Sequence, residues 1–450
     1  MARERAPRLL YLAFFFPPSR GSGVYRARAT ANHLARQGWD VTVLTAPTYF
    51  VRDLIGSFDE ALAATVDPRI RIERPPMRYY ALEHDVRRFS RFRATLPVVA
   101  RRLHRWGLAH VFPEKYWSWG LACLARGLRL HARRRFDVIV ATGNPFASFA
   151  TAWLLNRLTG VPYVLDYRDS WTLDQFQDRP AYPPGHPAWR WENRVLSRAA
   201  AVTFVNGAQR DWHAERYPHV AARMQVVPNG LDEELLGEPA GRPPRESPVR
   251  FTFLGTVIPG QPIEELAEAF RLARQEPDLV GSRITIYGYL GYFPSSERAL
   301  RQRLARADDV FEYRGPVPKP QVATVYQETD VLIFMTSGGR YVTTGKIFEY
   351  MGTGLPIVSV HAPDVAACEV LQGHPLWFNP GGLDVPSVAK ALVEAARTAR
   401  TMTVEQQRAA RAHAARYSRT RVLEPFEHLL RDLAGRAPTT DGVMTTDGTP

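Results

Sequence analysis

The sequence predicts an α/β protein made of two doubly wound, Rossmann-like domains that face each other across a central cleft. Short apolar runs alternate with helical segments in the first half of the chain, and the alternation restarts in the second half. Between the halves, residues 237–248 (GEPAGRPPRESP) are rich in Pro, Gly and charge and are interpreted as a linker. At 450 residues the chain is too long for one ordinary core, which also favours two domains.

The first domain is assigned to residues 1–236. Its apolar N-terminal run is followed by Pro17-Pro18 and a glycine turn, without a small-x-small cleavage site, so a core strand explains it better than a signal peptide. A helix follows in which apolar residues recur at helical spacing until Gly38. The predicted strands are 9–16, 41–45, 136–142, 161–166, 200–205 and 224–227, and the predicted helices are 24–37 and 145–158.

The second domain is assigned to residues 249–405, with closing helical structure over 406–435. Residues 436–450 contain a repeated TTDG and few large apolar residues, so they are expected to be disordered. The predicted strands are 249–254, 283–287, 310–313, 330–334 and 356–360, and the predicted helices are 262–274, 295–306, 322–326, 386–398 and 404–433, besides one that starts near Lys346.

The composition restricts the partners. A net charge of +13 favours anionic ligands, but no nucleic-acid-binding motif is present. Cys123 and Cys368 are in no metal or redox spacing, which suits a reducing cytoplasm. Arginines alternate with aromatic residues between Arg87 and Trp106. This segment is either a helix that lies on an anionic membrane, giving a peripheral contact at its inner face, or a solvated helix that packs a few aromatics.

The most informative motif is KIFEYMGTGLPIVS, which begins at Lys346. Lys346 and Glu349 are three residues apart and lie on one face of a helix, which Gly354 ends before a buried strand. Lysine is scarce, with only four among the 58 basic residues. The pair suits a nucleotide sugar, with Lys346 on phosphate and Glu349 on ribose hydroxyls. The alternative is a surface ion pair.

Other polar residues follow predicted strands, where ligands of such sheets bind. Asp166, Arg168 and Asp169 either hold sugar hydroxyls or form a structural ion-pair cluster, and Asn144 either faces the cleft or caps a helix. The glycine loop before residue 24 is either an anion site or a plain turn. The chain has no Asp-x-Asp pair, so a metal clamp on a diphosphate is not expected, and its charge must be met by Lys, Arg and helix ends.

Four motifs, FFPPSRGSGVYRARATANHLARQGWDVTVLT, LDYRDSW, VVPNGLD and GKIFEYMGTGLPIV, occur in an order and spacing that resemble the retaining glycosyltransferases of family 4. The resemblance covers nearly the whole chain up to the tail. It implies the GT-B fold and transfer of a sugar from a nucleotide diphosphate, with the anomeric configuration kept and neither metal nor cofactor required. It also implies that Glu349 holds the donor ribose, that Lys346 lies near the diphosphate, and that the Gly23 loop closes over the phosphates.

The chain departs from the family at three positions. Thr256 and Gln261 stand where many members have Arg and Lys, and Tyr341 stands where many have Glu. The missing cations leave Lys346, Arg340 or Arg26 to meet the diphosphate.

The predicted enzyme transfers a sugar from a nucleotide diphosphate, with UDP favoured over GDP, to a hydroxyl of a saccharide, a lipid-linked saccharide or a specialised metabolite. Two alternatives stay open: a sugar-nucleotide epimerase or phosphorylase on the same fold, and a non-catalytic nucleotide-sugar-binding protein, which the three departures suggest.

The predicted catalytic residues are Lys346, Glu349, Asp166 and Arg168. The predicted donor-binding residues are Gly21, Gly23, Arg26, Asn229, Gly255, Thr256, Gln261, Val317, Arg340, Tyr341, Gly345, Lys346 and Glu349. The predicted acceptor-side residues are Asn144, Asp169 and Trp171.

Overall fold

A computed structural model describes residues 5–21, 23–80, 83, 85–233, 248–291, 294–318 and 321–435. The predicted linker, apart from Pro248, and the predicted disordered tail at 436–450 lie outside the described residues.

The first domain is built on a seven-stranded parallel sheet in the order β3-β2-β1-β4-β5-β8-β9. The two central strands next to the reversal of strand order are fully buried because helices cover both faces. The strands of this domain are β1 Arg8–Leu12, β2 Asp40–Leu44, β3 Arg71–Glu73, β4 Val138–Gly143, β5 Tyr163–Tyr167, β6 Leu173–Asp174, β7 Arg179–Pro180, β8 Ala201–Phe204 and β9 Met224–Val226, of which β6 and β7 form a separate antiparallel pair.

The helices of the first domain connect these strands. Short helical turns occur at Phe50–Leu54, Val86–Arg88 and Pro218–Arg223. The α-helices are α1 Val24–Arg36, α2 Glu60–Ala63, α3 Arg91–Thr95, α4 Pro97–His110, α5 Trp117–Arg133, α6 Ala147–Thr159, α7 Pro187–Arg198 and α8 Gly207–Arg216.

The second domain repeats the design with a six-stranded parallel sheet in the order β12-β11-β10-β13-β14-β15. Its strands are β10 Phe251–Leu254, β11 Ile284–Tyr287, β12 Phe311–Gly315, β13 Val331–Met335, β14 Ile357–Val360 and β15 Trp377–Phe378. Its helices are α9 Ile263–Ala273, α10 Pro294–Ala305, α11 Val322–Glu328, α12 Lys346–Thr353, α13 Ala367–Leu371, α14 Val385–Thr401 and α15 Val404–Ala415, with a helical turn at Pro277–Leu279. The two parallel sheets confirm the predicted fold class.

The single helix predicted over 404–433 is wrong, because the structure has two helices there, α15 and α16 (Arg419–Gly435). The backbone of Leu231 accounts for the break. Its N–H donates to the carbonyl of Tyr417 (2.7 Å), and its carbonyl accepts from the N–H of Arg419 (2.9 Å). The chain turns at this contact and returns to the first domain.

Helix α16 packs against the first domain. Leu423, Phe426 and Leu430 join a core cluster that includes residues of β1 and α1. The indole N–H of Trp39 donates to Glu427 Oε1 at 3.0 Å. The last helix therefore closes the core of the first domain, although it comes last in the sequence.

Gly354→Ala is expected to destabilise the second domain more than Gly381→Ala. Both glycines have a positive φ, 70° and 77°, where an alanine costs about 1–2 kcal/mol. Only at Gly354 is the space also closed: an added Cβ would lie 2.9 Å from Arg411 Nε and 3.1 Å from the Gln407 carbonyl, whereas none of the described atoms lies within 4 Å at Gly381. Thermal unfolding of the two variants measures the difference, and equal melting temperatures would contradict the crowding.

Candidate active site

The predicted pair lies at the start of α12. Lys346 is the first residue of the helix, and its Nζ is 2.8 Å from Glu349 Oε2 one turn later. The two side chains are 29% and 18% exposed, so both are partly accessible. Gly354 ends the helix in the left-handed conformation, and β14 follows. The local sequence therefore places one cation and one carboxylate together at a helix N-terminus, where the helix dipole favours anions.

Two tyrosines fix α12 in position. The Tyr326 hydroxyl donates to Glu349 Oε2 at 3.2 Å. Burial, and then the nearby charge of Glu349, raise the pKa of Tyr326 well above its ordinary value, so the phenol keeps its proton and remains a donor. The Tyr350 hydroxyl donates to the Leu254 carbonyl (3.1 Å) and accepts from the Leu254 N–H (2.9 Å). The helix is thus tied to the carboxyl end of β10.

On the first domain, Arg168 lies against the glycine loop. A Cβ added to Gly23 would be only 1.0 Å from Arg168 Nη1, so glycine is needed there for the guanidinium to fit. Arg168 Nη2 donates to Asp169 Oδ2 (2.9 Å) and to the Asn144 carbonyl (3.4 Å). Its Nε is buried without a hydrogen-bond partner among the described residues. Gly23, Asn144, Arg168 and Asp169 therefore come together, as the sequence predicted for one edge of the sheet.

Arg26 and Asp166 form a buried pair beneath this loop. Arg26 Nε and Nη2 donate to the two oxygens of Asp166 at 2.9 and 2.7 Å, and Thr203 donates to the same carboxylate. Burial opposes the ionisation of Asp166, but the charge of Arg26 and these hydrogen bonds outweigh it and lower its pKa. Arg26 also donates to the Pro228 carbonyl (3.0 Å). The pair has the geometry of the structural ion-pair cluster, and the Arg26 guanidinium is engaged within the fold.

Trp171 lies in the core behind the acceptor-side residues. It is 3% exposed and stacks on Phe146, with the ring centres 5.0 Å apart and the planes 4° from parallel. Phe112 meets it edge-on at 6.2 Å. Trp171 is therefore a packed core residue, while Asn144 is exposed just after β4.

The loop after β10 carries two of the three departures from the family pattern. Thr256 is partly exposed next to Gly255. Gln261 is buried, and both ends of its amide are used: Oε1 accepts from the Ile258 N–H and Nε2 donates to the Met335 carbonyl, each at 3.0 Å. Gln261 therefore links the loop after β10 to the end of β13, and it supplies no charge.

The remaining predicted donor residues are spread around the same loops. Val317 is partly buried and packs against the cluster that holds α12, and Gly345 occupies the position before the first helical residue of α12. Gly21 is partly exposed at the tip of the first loop.

Three predicted donor residues lie where the two domains meet. Asn229 Nδ2 donates to the Thr343 carbonyl at 3.1 Å. Arg340 forms an ion pair with Asp178 (3.0 Å). Tyr341 is 5% exposed and packs with Leu173 and Trp212 of the first domain, so it fills an apolar contact where many family members have Glu.

The residues that pair with these three were not predicted from the sequence. Asn206 caps α8 and donates to Thr343 Oγ1 at 3.1 Å. A polar Asn between a strand and a helix is a recognisable capping signal, so Asn206 could have been found, whereas nothing in the local sequence indicates Asp178, Trp212 or Thr343. The described residues contain no group of three or more His, Cys, Asp or Glu side chains fit to hold a metal ion.

Comparisons with known proteins agree with this geometry. Residues 21–230 match a family model described as a glycosyl transferase 4-like domain, and residues 248–398 match one described as glycosyl transferases group 1. The two matches together span well over half of the chain, and the protein belongs to the glycosyltransferases of the family 4 type. It is a glycosyltransferase, and the alternative of a non-catalytic nucleotide-sugar-binding protein is therefore not supported.

Solved structures show the same fold at low identity. A sucrose-phosphate synthase from Thermosynechococcus elongatus is 15% identical, with a TM-score of 0.66 over 95% of this chain and 99% of that one. A glycosyltransferase from Rickettsia africae is 11% identical, with a TM-score of 0.66 over 96% and 100%. Anabaena HepE in complex with UDP and glucose is 14% identical, with a TM-score of 0.61 over 95% and 100%. These neighbours confirm the GT-B fold.

A comparison with curated proteins finds no match. Within the described part of the chain, no helix has both the length and the apolar character needed to cross a bilayer.

Gly23→Ala is expected to lower kcat/KM at least about tenfold, because the new Cβ would displace the Arg168 guanidinium from Asn144 and Asp169; tenfold corresponds to about 1.4 kcal/mol. UDP release from nucleotide sugars measures it. The matched control is Gly207→Ala at the start of α8, where the added Cβ meets none of the described atoms within 4 Å. Equal activity in both variants would contradict a role for the Gly23–Arg168 contact.

Proposed function

We propose that the protein is a retaining, metal-independent glycosyltransferase that uses a UDP-linked sugar and a hydroxyl acceptor. The observation that carries this proposal is the Lys346–Glu349 pair, 2.8 Å apart at the N-terminus of α12 and partly accessible. HepE, a structural neighbour solved with UDP and glucose, supports the choice of UDP. The cytoplasm is the proposed location, in keeping with two cysteines that are both free thiols.

Lys346 is the cation best placed for the leaving diphosphate. All three candidate cations are paired, but Arg26 is buried with Asp166 and Arg340 pairs with Asp178 where the two domains meet, whereas the Lys346–Glu349 pair is partly accessible at a helix N-terminus. Donor binding would transfer the Lys346 ammonium from Glu349 to the diphosphate, where the helix N-terminus adds its own stabilisation. The released Glu349 carboxylate would accept hydrogen bonds from ribose hydroxyls while Tyr326 holds it in place.

In the reaction, the bond between the anomeric carbon and the diphosphate oxygen breaks, and its electron pair stays on the diphosphate. The acceptor oxygen forms a bond to the same face of that carbon, and its proton passes to the departing diphosphate. This front-face path keeps the anomeric configuration. Asn144, Arg168 and Asp169 lie at the end of β4 and β5, where they would orient the acceptor.

The acceptor side of the proposal includes a membrane contact. The segment from Arg87 to Trp106 would hold the enzyme at the inner face of the membrane, close to a lipid-linked saccharide. This choice is favoured over a soluble metabolite by the exposed Leu103 and Trp106, which a solvated helix would not need.

Lys346→Ala is expected to lower kcat by about 100-fold or more while the protein stays folded, since stabilisation of developing charge is typically worth 10²–10³ in rate. Glu349→Ala is expected to lower kcat/KM by about tenfold or more, because the hydrogen bonds of its carboxylate to the ribose are lost. Steady-state transfer kinetics and a thermal melt measure the two effects. Lys390→Ala is the matched control, because Lys390 also pairs with a glutamate on its helix, Glu394 at 3.9 Å, but is 77% exposed. Near-normal turnover in both site variants would refute the assignment.

Removal of divalent metal with EDTA is expected to leave the transfer rate unchanged within about twofold, because Lys346 and the helix N-terminus supply the positive charge. NMR of the first product formed is expected to show the anomeric configuration of the donor. A rate restored only by added Mg²⁺ or Mn²⁺ would overturn metal independence, and an inverted anomer would overturn retention.

A further inference from the structure

Helix α4 lies almost bare on the surface of the first domain. Of its 14 residues, all of them described, only Ala100 is buried. Val99, Leu103 and Trp106 are spaced by four and three residues, so they share one face of the helix, and they are 45%, 54% and 55% exposed. An exposed apolar stripe of this kind indicates a contact with an apolar partner.

The charge around this stripe has one sign. Residues 91–110 contain five arginines and neither Asp nor Glu. Arg101, Arg102 and Arg105 are all exposed on α4. The partner should therefore combine apolar and anionic chemistry. A second copy of this chain fits poorly, because a two-fold contact through α4 would bring the arginines of both copies together.

An open groove of about 320 Å³ lies beside the stripe, between α4, α5, α6 and α7. Its walls consist almost entirely of apolar atoms, including those of Leu103, Gly107, Trp117, Leu121 and Leu154. The volume falls in the range of small-molecule binding sites, which begin near 300 Å³. Such a lining suits a hydrocarbon chain and offers little to a sugar.

The groove lies next to the residues that pack behind the acceptor side of the active site. Phe112 lines the groove and also meets Trp171, which follows Arg168 and Asp169 in the chain. Ala147 lines it too, three residues after Asn144, whose carbonyl accepts from Arg168. A molecule with its chain in the groove would have its polar end near these residues.

We propose that this groove binds the hydrocarbon chain of a lipid-linked acceptor, a saccharide joined through phosphate to a long hydrocarbon chain, as the enzyme rests on an anionic membrane. The proposal rests on the glycosyltransferase function proposed above and names the class of its acceptor. The arginines of α4 bind the phosphate and the membrane surface, Val99, Leu103 and Trp106 enter the lipid headgroup region, and the saccharide reaches toward Asn144 and Asp169.

Farnesyl phosphate is the probe for the groove, and its binding to the full chain can be measured by calorimetry. Wild-type protein is expected to bind it, whereas glycerol phosphate, which lacks the chain, is expected not to compete. Gly107→Leu should weaken binding at least tenfold, because a Cβ at Gly107 meets none of the described atoms within 4 Å and the longer side chain can grow into the groove. Ala109→Leu is the matched control, since Ala109 is exposed on the same helix and does not line the groove.

Vesicles of anionic phospholipid separate chain binding from simple adsorption to a bilayer. Arg102→Gln with Arg105→Gln is expected to lower co-sedimentation at low salt, while Gly107→Leu alters it little. The proposal is overturned by wild-type protein that does not bind farnesyl phosphate, by equal affinity in Gly107→Leu and Ala109→Leu, or by a stable dimer in solution that Leu103→Glu dissolves. Hydrolysis of a UDP-sugar by wild-type protein, without acceptor, tests the donor site separately, so the failure of one proposal is distinguishable from that of the other.

Discussion

The parallel arrangement of both sheets is the constraint on which the site depends. In each sheet the strand order reverses beside the first strand. This strand is β1 in the first domain, where it pairs with β2 and β4, and β10 in the second, where it pairs with β11 and β13. The loops after these strands diverge there and leave a crevice. The glycine loop and Asn144 follow β1 and β4, and Gln261 and α12 follow β10 and β13. The predicted donor and acceptor residues therefore follow the same kind of strand end in the two sheets.

The charged residues near the site fall into two groups that differ in burial. Arg26 and Asp166 are buried and hold β5 and α1 together with the end of β9. Lys346 and Glu349 remain partly accessible. A buried ion pair is costly to break because the remaining charge is left uncompensated. The accessible pair can exchange partners when an anionic ligand arrives, which is the property required of a site that binds and releases a diphosphate.

The contacts between the domains hold the cleft in the form described here. Asn206 donates a hydrogen bond to the hydroxyl of Thr343, and Asn229 donates one to the backbone carbonyl of Thr343. Tyr341 packs against Leu173 and Trp212 nearby. The loop between β13 and α12 therefore carries contacts to the first domain on one side of Lys346. Any change in the angle between the domains would move Lys346 as well.

The sequence predicted the two sheets and the Lys346–Glu349 pair because these depend on local patterns: strand–helix alternation, i to i+3 spacing and a terminal glycine. It did not predict the return of α16 to the first domain, since the hydrogen bonds of Leu231 with Tyr417 and Arg419 join residues far apart in the chain. For the same reason the sequence offered Arg26 as a cation for the diphosphate, and only its distance to Asp166 shows the buried pair.

The most direct test of the account is a crystal structure of the protein with UDP. The account predicts that Lys346 Nζ lies about 3 Å from a diphosphate oxygen and that the Glu349 carboxylate accepts hydrogen bonds from the ribose, with the ion pair between them broken. A structure in which UDP lies elsewhere, with Lys346 and Glu349 still paired as they are now at 2.8 Å, would contradict it.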